Sequence, residues 1–544
     1  MESLPFPILT FITFVPVVAV LILLFVNRKS HDLLRSIALI AMLADFVGSL
    51  FVYAWFDSSS AAMQLVESHP WIPTWGISYK MGIDGISLFL VLLTTLLGPI
   101  VILASWEDIR VKVKEFLISL LVLQTGMVGV FLALDLFLFY VFWEIVLIPM
   151  YVLIGIWGNP ARRLYAAIKF VLYTVVGSLL MLVAILVLYL TAGKELGEYT
   201  FDLLKLYQAH VPLQAQFWMF MAFFLAFAIK VPMFPFHTWL PDAHTEAPTV
   251  GSVVLAAVLL KMGTYGFVRF AIPLFPNAAL DATWWICWLA LIGIVYGAWV
   301  AMVQSDVKRL VAFSSVSHLG FVMLGMFAFT AQGLEGSILQ MINHGLSTGA
   351  LFLIVGMIYE RRHTRLIEEF GGLSKVMPVF AVLFMVFTLS SIGLPGLNGF
   401  IGEFLILVGT FKVFPWYAVI GATGVIFAAV YMLWMFQRVM FGEVTNPKNL
   451  VLKDLSAREV VVLLPILVFV VWIGVYPNTF LKPMEPSVKK LIEQVETKRK
   501  AVAEREGSAD RVVNREAGTT VAASLDGTRL HGKTAHEERS EWSK

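Results

Sequence analysis

Apolar runs of about 20 residues recur along nearly the whole chain, and no other feature so narrows what it can fold into. A helix of that length crosses the hydrocarbon core of a bilayer with its backbone polar groups bonded inside the segment. Candidate spans fall near 5–26, 34–55, 86–105, 114–133, 136–157, 165–191, 216–237, 250–272, 283–304, 309–329, 337–359, 378–410, 417–437 and 458–478. The pattern predicts an all-α, polytopic membrane protein with about fourteen transmembrane helices. The first run, Phe6 to Val26, has no small-residue cleavage site behind it and precedes Arg28 and Lys29. It reads as a spanning helix rather than a removable signal peptide.

Composition agrees. Of the 544 residues, 59% are hydrophobic and 14% charged, against roughly 25% charged in an ordinary globular domain. The net charge of +2 suggests no nucleic-acid partner; the lipid bilayer is the natural one. A single cysteine, Cys287, excludes an internal disulfide framework and a cysteine-ligated cluster. No Gly-rich phosphate loop follows a strand, so no nucleotide site is indicated.

Basic residues set the orientation. Loops after odd-numbered spans are rich in them (Arg28 and Lys29, Arg110 and Lys112, Arg162 and Arg163), while loops after even-numbered spans carry far fewer (Lys80, Lys194, Lys205 and Lys412), with Arg269 at the end of one such span. The positive-inside rule then makes the odd loops cytoplasmic and the N-terminus periplasmic.

Two spans contain breakers. The seventh reads FLAFAIKVPMFPFHTWLPDAH and holds Pro232 and Pro235; the twelfth reads FTLSSIGLPGLNGFIGEF and holds Gly393, Pro395, Gly396 and Gly399. Proline removes a donor and clashes with the carbonyl four residues back. Inside a membrane such a break persists only where protein or a water-filled cavity satisfies the freed groups. Paired breaks five spans apart suggest two inverted five-helix repeats, with a transport site near the breaks. The predicted organisation is 1–110 for spans one to three, 111–272 and 273–440 for the repeats, 441–480 for the last span and 481–544 for a polar extension. In that extension, 487–506 has the spacing of a short surface helix, and the chain beyond Gly507 has the composition of disorder or a partner-binding tail.

The ionisable residues inside the spans form a short roster: Glu144, Lys169, Lys230, Lys261, His318, His344 and Glu403. A charge at mid-bilayer costs roughly 2.5–3.5 kcal/mol even on the lenient insertion scale, so these groups are paired, hydrated or functional. Glu144 and Lys230, on separate helices, can pair, and making or breaking the pair would decide whether the lysine keeps its proton. Lys261 is central in its span and suits a relay, because a desolvated lysine releases its proton readily. His318 has Ser314 and Ser317 nearby, and His344 has Asn343, Ser347 and Thr348. Imidazoles among hydroxyls pass protons near neutral pH. Glu403, just past the second break, would end the line. For Lys169, an uptake path and simple snorkelling are balanced readings. Asp135 lies nine residues, about 13 Å, before Glu144 and reads as a span-end cap. His237, Asp242, His244 and Glu246 look like metal ligands, but prolines break the segment and no ligand spacing is regular, so no metal is predicted.

The strings FWEIVLIPMYVLIGIWG, KVPMFPFHTWLPDAHTEAPT, LLKMGTYGFVRF, FSSVSHLGF, NHGLSTGALFL and GLPGLNGFIGEF resemble the antiporter-like membrane subunits of respiratory complex I (NADH-quinone oxidoreductase), its M or chain 4 branch most of all. The resemblance covers about residues 80–440. It implies a membrane-arm subunit of the bacterial inner membrane that carries one proton channel. Glu144 and Lys230 would match the family's input-side pair, Lys261 and His318 its central relays, His344 its connecting axis and Glu403 its exit residue. The redox cofactors, FMN, iron–sulfur clusters and quinone, would belong to other subunits. The partners would be the L-like, N-like and small K-, J-, A- and H-like membrane subunits. A multi-subunit Na+/H+ antiporter subunit or a hydrogenase membrane subunit shares the fold and most of the buried charges, and the company the chain keeps would separate the readings.

Overall fold

The computed structural model describes residues 6–500. Among these, twelve helices are long and apolar enough to cross a membrane. Three shorter apolar helices, Leu88–Ala104, Pro378–Ser391 and Asn398–Phe411, join them. The chain to Ile492 is one compact unit, and the residues from Glu493 belong to a second.

The helices are layered by burial. Thr249–Leu274 and Ala331–Arg362 are enclosed by protein over their whole apolar length, and Val307–Met326 very nearly so. Ile8–Phe25 and Ala457–Val475, by contrast, turn most of their surface outward. The three inner helices carry Lys261, His344 and His318. Three of the groups that cost most in lipid are therefore held on helices enclosed by protein.

The structure corrects the all-α expectation in the segment between the second and third spans. Gln64–Ile72 and Ile77–Ile83 form an antiparallel hairpin, closed at Gly76 in the left-handed region (φ +67°). The hairpin ties helix ends together. The Glu67 carboxylate accepts from the Leu9 and Thr10 amides at 2.7 and 2.9 Å, satisfying orphan donors at the start of Ile8–Phe25. Lys80 pairs with Asp202 at 2.6 Å. Asp135 caps its helix as expected, accepting from the Phe137 and Leu138 amides, and also holds the Ser78 amide.

Four spans are irregular: the seventh and twelfth are interrupted as expected, while the fifth and eighth depart from the regular helices expected. The fifth breaks into Leu136–Ile145 and Leu147–Trp157. Pro149 explains the place: it lacks the amide that would bond the Ile145 carbonyl and crowds that carbonyl. The eighth contains two wide i→i+5 stretches, Leu255–Leu259 and Phe267–Ala271, on either side of Lys261. The twelfth consists of Pro378–Ser391 and Asn398–Phe411, with Gly393 (φ +75°) and Gly396 (φ +93°) in the link. Only glycine takes that conformation without strain. In the seventh, Leu213–Lys230 stops before Pro232, and Trp239–Glu246 resumes after Pro235, whose peptide bond is cis. The Trp239 indole donates to the Ile229 carbonyl at 2.8 Å, one of the groups the break frees.

The surface helix expected at 487–506 begins earlier. Residues 478–492 are helical, with Phe480, Met484 and Val488 buried and the Phe480 ring 4.9 Å from Phe89. Residues 493–500, in the second unit, are also helical. The expected tail beyond Gly507 lies outside the described residues.

Candidate proton path

The inner helices bring four of the sequence-selected residues into a line. The Lys261 ammonium is 2.6 Å from His344 Nδ1 and also donates to the Ala256 carbonyl. That carbonyl lies in the wide turn, five residues back, where the side chain can reach it. The His344 and His318 ring centres are 5.8 Å apart. His318 Nδ1 lies 2.8 Å from Glu403 Oε1, which also accepts from Gln340 at 3.0 Å. With Nδ1–H donating to the carboxylate, His318 Nε2 accepts from the Ser391 hydroxyl at 3.3 Å. The second Glu403 oxygen points at the break, 3.3 Å from where a Cβ on Gly393 would stand.

The hydroxyl partners expected beside the histidines serve other ends. Ser314 and Ser317 bond backbone carbonyls of Val311 and Ile294. Ser347 bonds Ser390, and Asn343 bonds the Asn398 carbonyl and Gln340. These contacts pin the His344 helix to the broken twelfth span. The histidines face each other, Lys261 and Glu403 instead. Sequence spacing finds neighbours along one helix, whereas the working contacts cross between helices.

Glu144 and Lys230 behave differently. They form no ion pair. Glu144 Oε1 and the Lys230 ammonium are each buried without a hydrogen-bond partner, although they lie within electrostatic reach of one another. The ammonium instead faces the rings of Trp143 at 5.2 Å and Phe170 at 5.6 Å. Such faces attract a cation without fixing it. Gly263 lets the seventh span approach the Lys261 helix closely, since a Cβ there would stand 3.0 Å from the Lys230 Cβ.

Lys169 neither snorkels nor stands free: it pairs with Asp242 at 2.7 Å. Arg269, placed at a span end by the sequence, forms a buried pair with Asp84 and donates to the Tyr265 hydroxyl at 3.0 Å. His237, Asp242, His244 and Glu246 do not converge. His237 lies against Phe234 and Tyr296, while His244 stacks on Phe352 with ring centres 4.8 Å apart.

His244 is what the sequence reading passed over. It is wholly buried, neither ring nitrogen has a partner, and it lies within electrostatic reach of Lys308 and Lys261. Two residues on, Glu246 lines a cavity of about 300 Å³ together with Asp108, Asn159, Lys308 and Arg365. Lys308 donates to the Ala247 carbonyl at 2.6 Å. The Asp108 carboxyl is raised above its usual range by burial, partly offset by Lys308, Arg458 and Arg110. The place of His244 between a polar cavity and buried lysines is set by the fold; in the sequence it stands only among the residues that superficially resemble metal ligands.

Comparison with known proteins places the whole arrangement. Residues 133–435 match the family described as NADH:quinone oxidoreductase/Mrp antiporter, transmembrane, and residues 9–130 match the NADH-ubiquinone oxidoreductase chain 4 amino terminus. NADH-quinone oxidoreductase subunit M of Rhodobacter capsulatus is 46% identical, over 89% of this chain and 96% of the relative. Chain 4 of Arabidopsis thaliana NADH-ubiquinone oxidoreductase is 48% identical over 88% and 95%. A chain of respiratory complex I from Thermus thermophilus superposes with a TM-score of 0.82 at 33% identity, covering 90% of this chain and 99% of that one. The Mrp complex of Dietzia also contains this fold (TM-score 0.78), at 18% identity over 90% of this chain and 98% of that one. On the sequence matches and the fold together, the chain belongs to the antiporter-like membrane subunits of NADH:quinone oxidoreductase, in the subunit M (chain 4) branch.

Proposed function

We propose that this chain is a membrane-arm subunit of NADH-quinone oxidoreductase and carries one proton path, driven by electron transfer on other subunits. The observation that carries the reading is the contact line Lys261–His344–His318–Glu403 on buried helices. A proton on Lys261 passes to His344 Nδ1 across 2.6 Å. His344 hands on toward His318, whose Nδ1–H already bonds the Glu403 carboxylate. From Glu403 the path leaves at the break beside Gly393. Uptake runs from the Asp108–Glu246–Lys308 cavity past His244. Glu144 and Lys230 act as the switch: moving the ammonium from the aromatic faces toward Glu144 changes the field at Lys261.

Several finer readings go with this. Twelve long helices, the 17-residue Leu88–Ala104 and the interrupted Pro378–Ser391/Asn398–Phe411 counted as one span support fourteen spans. Breaks five spans apart support two inverted repeats, at 111–272 and 273–440, between the first three spans and the last. The alternation of basic loops supports a periplasmic N-terminus in a bacterial inner membrane. FMN, iron–sulfur clusters and quinone sit on other subunits, and the neighbours are L-like, N-like and small membrane subunits. Identity of 46–48% with complex I chains supports this company over an antiporter or hydrogenase subunit.

The test uses the intact complex in proteoliposomes. Glu403→Gln keeps the shape of the line and removes its charge. Proton transport per NADH oxidised falls if the line carries protons; normal transport by a fully assembled variant overturns it.

A further inference from the structure

A second buried polar cluster lies outside this path, in the bundle of Ile8–Phe25, His31–Trp55, Leu88–Ala104 and Val113–Leu132. Its centre is Asp45, midway along His31–Trp55 and fully enclosed. The Gln124 amide donates to Asp45 Oδ2 at 2.8 Å and to the Thr94 carbonyl at 3.2 Å. Beside it, the Ser49 and Thr95 hydroxyls bond each other at 2.7 Å. Asp45 Oδ1 has no partner, and neither does the buried hydroxyl of Thr125, the residue after Gln124.

Among the described residues no cation answers this carboxyl. Ile8–Phe25 and Leu88–Ala104, both packed against its helix, contain no ionisable residue. On its own helix the charged residues are His31, Asp32 and Arg35, and on Val113–Leu132 they are Lys114 and Glu115. All lie at one end, and Arg35 and Lys114 are each ten residues, about 15 Å, from Asp45 and Gln124 respectively. Both cations are committed there: Arg35 to Asp32 and the Ile109 carbonyl, Lys114 to the Leu24 and Val26 carbonyls. A buried carboxylate without a counter-charge is costly, and taking up a proton removes the charge.

We propose that Asp45 is a proton-binding site, occupied at neutral pH, that clasps the N-terminal bundle as a neutral carboxylic acid and stands apart from the Lys261–Glu403 line. The Gln124 bond marks Oδ2 as the carbonyl oxygen and leaves the proton on Oδ1. Through Gln124 the clasp holds Thr94 and with it Leu93, which fills the notch at Gly345 beside His344: a Cβ on Gly345 would stand 2.6 Å from Leu93 Cδ2. The site thus borders the relay without entering it.

The test is infrared difference spectroscopy of the intact complex in membranes, wild type against Asp45→Asn, with carbon-13 aspartate to identify the band. A protonated-carboxyl C=O stretch is expected in wild type, insensitive to Na+ and missing from the variant. Because the amide is a neutral isostere, the variant should keep NADH–quinone turnover and proton transport within about twofold. A carboxylate band in place of the C=O stretch overturns the proposal. So does a band that follows Na+, or an assembled Asp45→Asn complex that has lost transport. If Asp45→Asn does not assemble, Asp45→Glu decides: the C=O band shifts if Asp45 is its source, and an unshifted band overturns the assignment.

Discussion

The two halves of the candidate path handle buried charge in opposite ways. Around Lys261, His344, His318 and Glu403, the lysine ammonium, His344 Nδ1, both His318 nitrogens and Glu403 Oε1 have partners, while His344 Nε2 has none, and Gln340, Asn343 and Ser347 secure the helices that carry them. Around Glu144 and Lys230 the partners are missing: an ammonium rests on two aromatic faces, and a carboxylate oxygen has no donor. A satisfied network holds one geometry, because any displacement leaves a group unpaired. An unsatisfied pair can occupy two arrangements of similar energy, which a switch requires. On the proposed function, the more fully bonded half would conduct and the unpartnered pair would control.

The largest effect should come from the control half. Lys230→Ala removes the ammonium from its aromatic cage, and coupled proton transport should drop about tenfold or more, equivalent to at least ~1.4 kcal/mol. Glu144→Gln should fall in the same class, measured as transport and NADH oxidation in assembled complex. If either variant pumps normally, the comparison loses its control half. Next comes the conducting half: Glu403→Gln and His318→Asn should each lower transport severalfold. Their double variant should be little worse than either alone, with a coupling of about 1 kcal/mol because the groups touch. Additive losses would break the claim of one connected line. His344→Asn should lower transport to a similar extent, since the amide can still meet the Lys261 ammonium but cannot relay a proton through a second ring nitrogen. Asp242→Asn should have the smallest effect. It removes the partly exposed Lys169–Asp242 pair, worth no more than about 1 kcal/mol, so transport should change by twofold or less. A large loss there would move Lys169 from anchor to path.

Much of the architecture was legible beforehand for a simple reason. Lipid permits few backbone solutions, so apolar runs mark helices almost directly, and Pro232, Pro235, Gly393 and Gly396 mark the two interruptions. The third break, after Glu144, was also readable from Pro149 but was masked by the continuous apolar run around it. The hairpin at 64–83 is not legible because neither strand carries a membrane-length apolar run, and the first is more than half exposed. Asp45 escaped too, hidden in a strongly apolar second span.

By itself, the sequence determined most of the residues that bear buried charge, Asp45 excepted, because such a residue stands out against hydrocarbon. Partnership was decided only by the tertiary structure. Lys261 meets His344 across 83 positions and His318 meets Glu403 across 85, while Glu144 and Lys230, an obvious pair by charge, stay apart. Charge is a property of a residue, and transfer to lipid prices it locally. A proton path depends on distances of about 3 Å between atoms on different helices, and packing alone sets those.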